Sequence, residues 1–376
     1  MKLTTAGESH GKALVAIIEG LPAHLEIDKA KMNEDLALRQ SGFGRGGRQK
    51  IEKDQAEILT GVRNGETLGS PVTLCIYNKD YGNWENCMSD GACDEDAMRK
   101  KALTKVRPGH ADLTGVIKFS QTDARNILER ASARETAIRV AAGSVFKQYL
   151  LALGVQIGGY VKEICGVKDT GSYSFDELKK SKQTDTGMLD SNAAERAKEK
   201  IALLKSDGDT AGGVAEIRVK GLKSGFGSMT TYAEKLDALL AGNLMSIQAV
   251  KAVEIGDGFS AGSVSGKEFH DEIVFDGEFK RTSNRAGGIE GGMSNGEEIV
   301  IRVVMKPIPT LMKGLKTVDY LTKEETKAAS ERSDVCAIFA LEIIAEAVVA
   351  QTLAFAVQNR LGGDTIAQVK ERYDLL

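Results

Sequence analysis

Residues 337–357 read AIFALEIIAEAVVAQTLAFAV, the longest strongly apolar run in the chain. At about 1.5 Å of rise per residue, a helix of this length would cross a bilayer. Glu342, Glu346 and Gln351 interrupt it, and ionisable groups inside a membrane span are costly. The run is therefore expected as a core helix enclosed by protein, with no membrane partner. A helix that is apolar all round must be covered on every side, which demands a fold in layers around it.

The remaining pattern supplies those layers. Asp28 caps a helix expected to reach about Arg39. Ser132 and Glu135 have the S-x-x-E spacing of a capping box, opening a long helix that Gly154 closes. Further helices are expected over Asn192 to Lys205, over YAEKLDALLAGNLMSI, and from near Ser333 to Gly362–Gly363. GGVAEIRVKG and EEIVIRVVMK alternate with the two-residue period of strands, and SPVTLCIYN is a short β-rich run. Helices and strands do not alternate as βαβ units, so the expected class is α+β, antiparallel sheets packed on long buried helices. The polar stretch KDTGSYSFDELKKSKQTDTGMLDSNAAERAKEK is expected as a peripheral excursion. With no internal repeat or low-complexity linker, residues 1–376 are read as one domain.

Among 376 residues, 42% are hydrophobic and 27% charged, the profile of a globular protein rather than a disordered one. Fifty basic residues face 53 acidic ones, so the surface as a whole has no electrostatic pull on nucleic acid. Five scattered cysteines without a CxxC pair argue against a disulfide framework or a metal site and fit a reducing cytoplasm. The opening MKLTTAGESHG has no signal-like apolar region. The 41 glycines beside only five prolines point to tight turns and close backbone approaches to a ligand.

SGFGRGGR, residues 41–48, places Arg45 and Arg48 among glycines, with Arg39 just upstream. On its own it fits either an RGG-like RNA-binding segment or a folded loop gripping a phosphorylated small molecule. His10 in GESHG and His110 in RPGHAD each have glycine beside them and a carboxylate close in sequence, Glu8 and Asp112; both are candidate proton donors. Arg39, Arg45, Arg48, Arg107, Arg134 and Arg139 are candidates for bidentate binding of phosphate or carboxylate. ERASARET puts Arg130 and Ser132 at a helix N-terminus, favourable for an anion but equally explained by capping. TSNRAGGIEGGMSNG lacks the spacing of a Rossmann loop or P-loop and fits a hairpin or a ligand-contacting loop. Asp334 in RSDVC, placed in the first turn of the last helix, reads on its own as helix chemistry.

TTAGESHG, GFGRGGR, RPGHAD, SARETAIRVAAG, LMSIQAVKAVEIGDGF, SNRAGGIEGGMSNG, KPIPT and RSDVC occur in the order found in the chorismate synthase family, and the resemblance spans roughly residues 1 to 360. It implies a β-α-β sandwich and a homotetramer. It implies a lyase of the shikimate pathway that converts 5-enolpyruvylshikimate 3-phosphate to chorismate by 1,4-elimination, with reduced FMN and no net redox change. By the family pattern His110 is the general acid for leaving phosphate. His10 protonates the reduced flavin, and Asp334 works with it in removing the C6 proton. Arg39, Arg45, Arg48, Arg107 and Arg134 would hold the substrate anions, and Arg48 would also contact NADP where that binds. The flavin would contact Arg130, Ala131, Ser132, Gln248, Ala249, Gly291, Lys306, Pro307, Ile308, Pro309, Thr310 and Arg332. On this resemblance SGFGRGGR is an anion clamp.

Two departures stand out. Leu128 and Glu129 precede the R-x-S-A-R-E-T stretch where many members carry glycine, which sets a carboxylate near the expected flavin phosphate. Asp54 stands where some members carry a second NADP-binding arginine. A monofunctional enzyme supplied with reduced flavin by a separate reductase is expected, with NADPH relevant only to an intrinsic flavin reductase activity. The rival readings are an FMN-dependent oxidoreductase with an anionic substrate and a non-enzymatic anion- or RNA-binding protein.

Overall fold

A computed structural model describes residues 1–47, 53–329 and 333–376. Strands β1 (Lys2–Gly7), β2 (Ala13–Glu19), β3 (Glu57–Thr60) and β4 (Val72–Tyr77) form an antiparallel sheet in the order β1-β2-β4-β3. A second antiparallel sheet contains β5 (Gln156–Ile164), β6 (Val167–Lys168), β7 (Gly213–Lys220), β8 (Val250–Ile255) and β9 (Ile299–Met305), in the order β8-β9-β7-β5-β6. Each sheet buries one face, as the alternating sequence requires: in β9, Ile299, Ile301, Val303 and Met305 are buried and the residues between them are not.

The helices that build the core and the site include α1 (Lys29–Gln40), α2 (Asp112–Phe119), α3 (Arg125–Ala131), α4 (Thr136–Ala152), α5 (Ser191–Ser206), α6 (Leu236–Met245) and α7 (Ile338–Leu361). Helix α4 packs on β2 and β4, α7 packs on β5 and β7, and the two helices pack on each other. The layers are thus sheet, helices, sheet. By length and composition α7 is apolar enough to cross a membrane, yet 89% of its most apolar window is buried inside the protein. A continuous apolar core runs from Leu14 to Tyr373.

The two central helices meet at a glycine. A Cβ built at Gly143 would stand 2.3 Å from the Cβ of Ala347. Gly143→Ala should therefore lose about 1–3 kcal/mol through overpacking, despite the better helix propensity of alanine. Urea unfolding checks this, and a stabilised variant would show that the helices separate without cost.

Three expectations are corrected. Ser132 does not open α4: its Oγ accepts from Arg134 N at 3.3 Å and caps a 3₁₀ turn over Ala133–Glu135. Glu135 instead accepts from Thr5 Oγ1 at 2.9 Å, so the box is not formed. The last helix starts at Ile338 rather than Ser333, leaving Asp334 outside its first turn. Backbone bonds to other segments hold that stretch open, with Val335 N donating to Gly44 O and Ala211 N to Val335 O, both at 2.8 Å.

The third correction concerns the polar stretch from Lys168 to Lys200, which is not peripheral. Phe175 and Leu178 pack with Tyr160, and Met188, Ala193 and Ala197 join the main core. Lys182 reaches α7, where it bonds Glu342 and lies 2.9 Å from Glu346 Oε1. Buried carboxylates need a cation, and this polar stretch supplies it. Hairpin residues Ile289–Glu290 and Met293–Ser294 flank Gly291 and Gly292, at φ of 59° and 85°. Both angles suit a two-residue type I′ turn, which explains the paired glycines.

Candidate active site

Four groups of polar residues form around the motif residues. The first follows β1. In GESHG, the backbone N of His10 donates to Glu129 Oε2 at 2.7 Å, and His10 Nδ1 lies 2.9 and 3.1 Å from the two carboxylate oxygens. Ser9 N donates to Glu129 O at 2.9 Å. The imidazole stacks on Trp84, with centroids 3.8 Å apart and 23° between planes. Burial pushes the Glu129 carboxyl up, but bonding and charge from His10, with Arg125 adding to them, hold it below its ordinary value. The carboxylate that serves His10 is therefore not Glu8 but a residue 119 positions away.

The second group is the RPGHAD turn. Arg107 O accepts from His110 N at 3.2 Å across Pro108 and Gly109, whose φ is +77°. Proline then glycine at these positions is the requirement of a type II turn. It returns His110 to the start of α2, where Nδ1 is 2.5 Å from Asp112 Oδ1. Arg107 donates to the same carboxylate from Nε at 2.8 Å and Nη2 at 3.0 Å, and to Thr310 Oγ1 from Nη1 at 3.1 Å. Asp112 is fully buried. Burial opposes its charge, but hydrogen bonds from His110 and Arg107 outweigh burial and hold the carboxyl far below the usual range. Lys306 donates to Gly109 O, tying this turn to the segment 306–310.

The third group centres on Asp54. Its Oδ2 is 2.6 Å from Arg134 Nη1 and 3.7 Å from Arg39 Nη1. Arg134 also donates to Asn78 Oδ1 at 2.9 and 3.1 Å, and Arg39 to Thr136 Oγ1 at 2.9 and 3.0 Å. Burial, together with the like charges of Arg134 and Arg45, lowers Arg39 to about 9 despite the opposing pull of Asp54. Asn78 Nδ2 donates to Gly11 O at 2.7 Å, joining this group to the His10 turn. The fourth group is Asp334, whose Oδ2 pairs with Arg45 Nη1 at 2.9 Å and whose Oδ1 accepts from Gly46 N at 2.6 Å.

The segments expected around a flavin meet in part. Arg130 donates to Gly7 O and Thr5 O at 3.2 Å and lies 3.9 Å from Glu135. Glu135 accepts from Gln248 Nε2 at 3.4 Å, and Ala249 O accepts from Lys306 N at 3.0 Å. Ala249 sits at φ +69°, unusual for a residue with a Cβ. Ala131 and Ser132 follow Arg130 at the end of α3. Gly291 is exposed at its hairpin tip, where the adjoining Gly292 O accepts from Leu236 N. Arg48 and Arg332 lie outside the described residues. Trp84 and Asn78 are participants that no motif signalled, since their partners, His10 and Arg134, are more than fifty positions away in sequence.

A cavity of about 700 Å³ lined by Ala23, His24, Arg63, Asn64, Glu66, Thr67 and Leu68 includes none of these groups. Its one ion pair, His24 with Glu66 at 3.0 Å, is solvent-exposed. Among the described residues no cluster of His, Cys, Asp and Glu suits a metal ion.

The chorismate synthase family model matches residues 1–357. Chorismate synthase of Geobacter sulfurreducens is 51% identical over 385 aligned positions, covering 100% of this chain and 98% of that protein. The Caldicellulosiruptor bescii enzyme is 50% identical, with 99% and 98% covered, and that of Bacillus pumilus 49%, with 100% and 98%. A crystal structure of chorismate synthase superposes with a TM-score of 0.79 at 37% identity, over 99% of this chain and 96% of that one. The order of the motifs, the sheet–helix–sheet layers and these matches agree, and the chain belongs to the chorismate synthase family of carbon–oxygen lyases.

Proposed function

We propose that this site binds 5-enolpyruvylshikimate 3-phosphate and expels its phosphate by anti-1,4-elimination to give chorismate. The observation that carries the reading is the convergence of His110 and Arg107 on the buried carboxylate of Asp112. A proton donor and a fixed cation are thereby held side by side, as departure of a phosphate requires. His110 Nδ1 has Asp112 Oδ1 at 2.5 Å and Arg107 Nη2 at 3.0 Å; the shorter contact is to an ionised carboxylate, which only accepts, so Nδ1 carries the hydrogen toward Asp112 and Nε2 is left to protonate the leaving oxygen. Arg39, Arg45, Arg48, Arg107 and Arg134 hold the phosphate and two carboxylates. Arg39 and Arg134 are kept rigid by Asp54, and Arg45 Nε is buried with no partner among the described residues. Asp334 removes the C6 proton.

The residues fit reduced FMN. Gln248 Oε1 is buried and unpaired among the described residues, an acceptor waiting for a donor such as a flavin ring N–H. Arg130, Ala131, Ser132, Gln248, Ala249, Gly291, Arg332 and the run Lys306 to Thr310 would hold it. When bound, reduced FMN lends electron density as phosphate leaves and recovers it as the C6 hydrogen is lost. His10 would be its proton donor.

The reading extends to a cytoplasmic homotetramer in the shikimate pathway, fed by a separate flavin reductase. Asp54 is committed to Arg134 and Arg39 and offers a nucleotide phosphate no charge, so NADPH binding is not part of it.

The test is an anaerobic assay with chemically reduced FMN, following chorismate and phosphate together. Equal release with the flavin still reduced supports the elimination; stoichiometric flavin oxidation would favour the oxidoreductase reading. Arg48→Ala is expected to weaken substrate binding by about 10–100-fold, the worth of one charged hydrogen bond. An unchanged affinity by calorimetry would remove Arg48 from the clamp.

A further inference from the structure

Glu129 looked out of place beside an expected flavin phosphate, yet it turns inward. It is 2% exposed, and its carboxylate meets His10 at both the backbone N and Nδ1. The other titratable groups facing this pair are Arg125, 3.6 Å from Glu129 Oε1, Lys101, whose Nζ lies 4.0 Å over Trp84, and Cys87, whose Sγ donates to Trp84 O at 3.3 Å. We infer that Glu129 is a positioning residue that fixes His10 with hydrogen on Nδ1 and offers Nε2 alone for proton exchange, with Trp84 setting the plane of the ring. This rests on the reading that His10 passes a proton to reduced flavin.

The physical case is one of removing alternatives. A free imidazole has two tautomers and can turn its ring over, so either nitrogen could face the reaction. A carboxylate accepts and never donates, which requires a hydrogen on the nitrogen beside it. Glu129 Oε2 also takes the backbone N–H of the same residue, so the turn and the ring are registered to one group. Stacking at 3.8 Å restricts tilt. Glu129 makes no described contact with the arginines of the anion clamp, so its effect should fall on the proton and not on substrate capture.

Two measurements decide this. The first uses the unaltered protein with ¹⁵N-labelled histidine: the Nδ1 resonance of His10 should be that of a protonated nitrogen. A bare Nδ1 with the proton on Nε2 would overturn the assignment, and this reading needs neither flavin nor activity. The second is Glu129→Gln. Its oxygen can keep the backbone N–H bond while its NH₂ faces Nδ1 and drives the ring proton to Nε2. Loss of kcat by about 10²-fold or more is expected, as for other histidines forced into the wrong tautomer, with the substrate KM unchanged and the Nδ1 resonance altered. Full kcat in a folded Glu129→Gln protein refutes the inference. Should that variant not fold, the resonance of the unaltered protein decides alone. Failure of the anaerobic assay in the unaltered enzyme would instead count against the proposed function, leaving the Nδ1 result to stand or fall separately.

Discussion

Replacing His110 by alanine is expected to slow phosphate release by about 10²–10⁴-fold, the usual contribution of a general acid, while flavin affinity stays nearly unchanged. The expectation follows from the RPGHAD turn. Pro108 and Gly109 set the turn, and Asp112 takes the Nδ1 hydrogen at 2.5 Å. Arg107 beside it is proposed as a fixed cation for the leaving phosphate, a different role from that of the acid. Single-turnover chorismate formation and a flavin titration on the same variant check both halves. Weakened flavin binding with normal turnover would move His110 from the substrate to the cofactor.

A large effect on stability is expected at Lys182, which belongs to none of the four polar groups of the site. Lys182 and Lys147 are the cations, and Glu346 and Asp35 the anions, of a network in which Lys147 lies 2.7 Å from Glu346 Oε2 and 3.3 Å from Asp35 Oδ1. Those four charges cancel. Glu342 is the fifth member, fully buried; burial and then the neighbouring Glu346 push its carboxyl well above the ordinary value. It therefore stays protonated into a range where an exposed glutamate is charged. Lys182→Met should cost about 3–5 kcal/mol, since it leaves buried carboxylates short of a cation. Glu342→Gln should cost about 1 kcal/mol or less.

The sign with pH follows from the raised value. The stability Glu342 gives is complete below the ordinary glutamate pKa and is lost as pH rises toward its folded value. Urea unfolding of both variants across that range checks the pair. A Lys182→Met loss below about 1 kcal/mol, typical of a surface pair, would show that the network is not effectively buried.

How far the sequence foretold this structure depended on the range of the forces involved. Local signals were readable: Asp28 capping α1, alternation in β7 and β9, and the two glycines of the 289–294 hairpin are each decided within a few residues. The boundaries of α4 and α7 were not, because Glu135 bonds Thr5 and Val335 bonds Gly44, partners more than a hundred positions distant. The same limit applied to the site. Glu8 was the local candidate beside His10, and only the fold brings Glu129 there. Asp54 gave no local sign that it would neutralise two arginines. The Lys168–Lys200 stretch misled by composition, since its buried apolar residues are scattered among charged ones and its tie to α7 is a half-buried lysine.

The contact between the glycine loop and the entrance to α7 also governs when the site can exist. Gly46 N bonds Asp334 Oδ1 across 288 positions, and Arg45 pairs with the same side chain. During synthesis the first third of the chain emerges long before that partner is made. The proposed clamp and the proposed base can join only when the segment carrying Asp334 has left the ribosome and packed. Contacts this distant in sequence are slow to form, so completion of the site belongs to the last stage of folding. A nascent chain that stops before residue 333 would carry both histidines and still have no assembled centre.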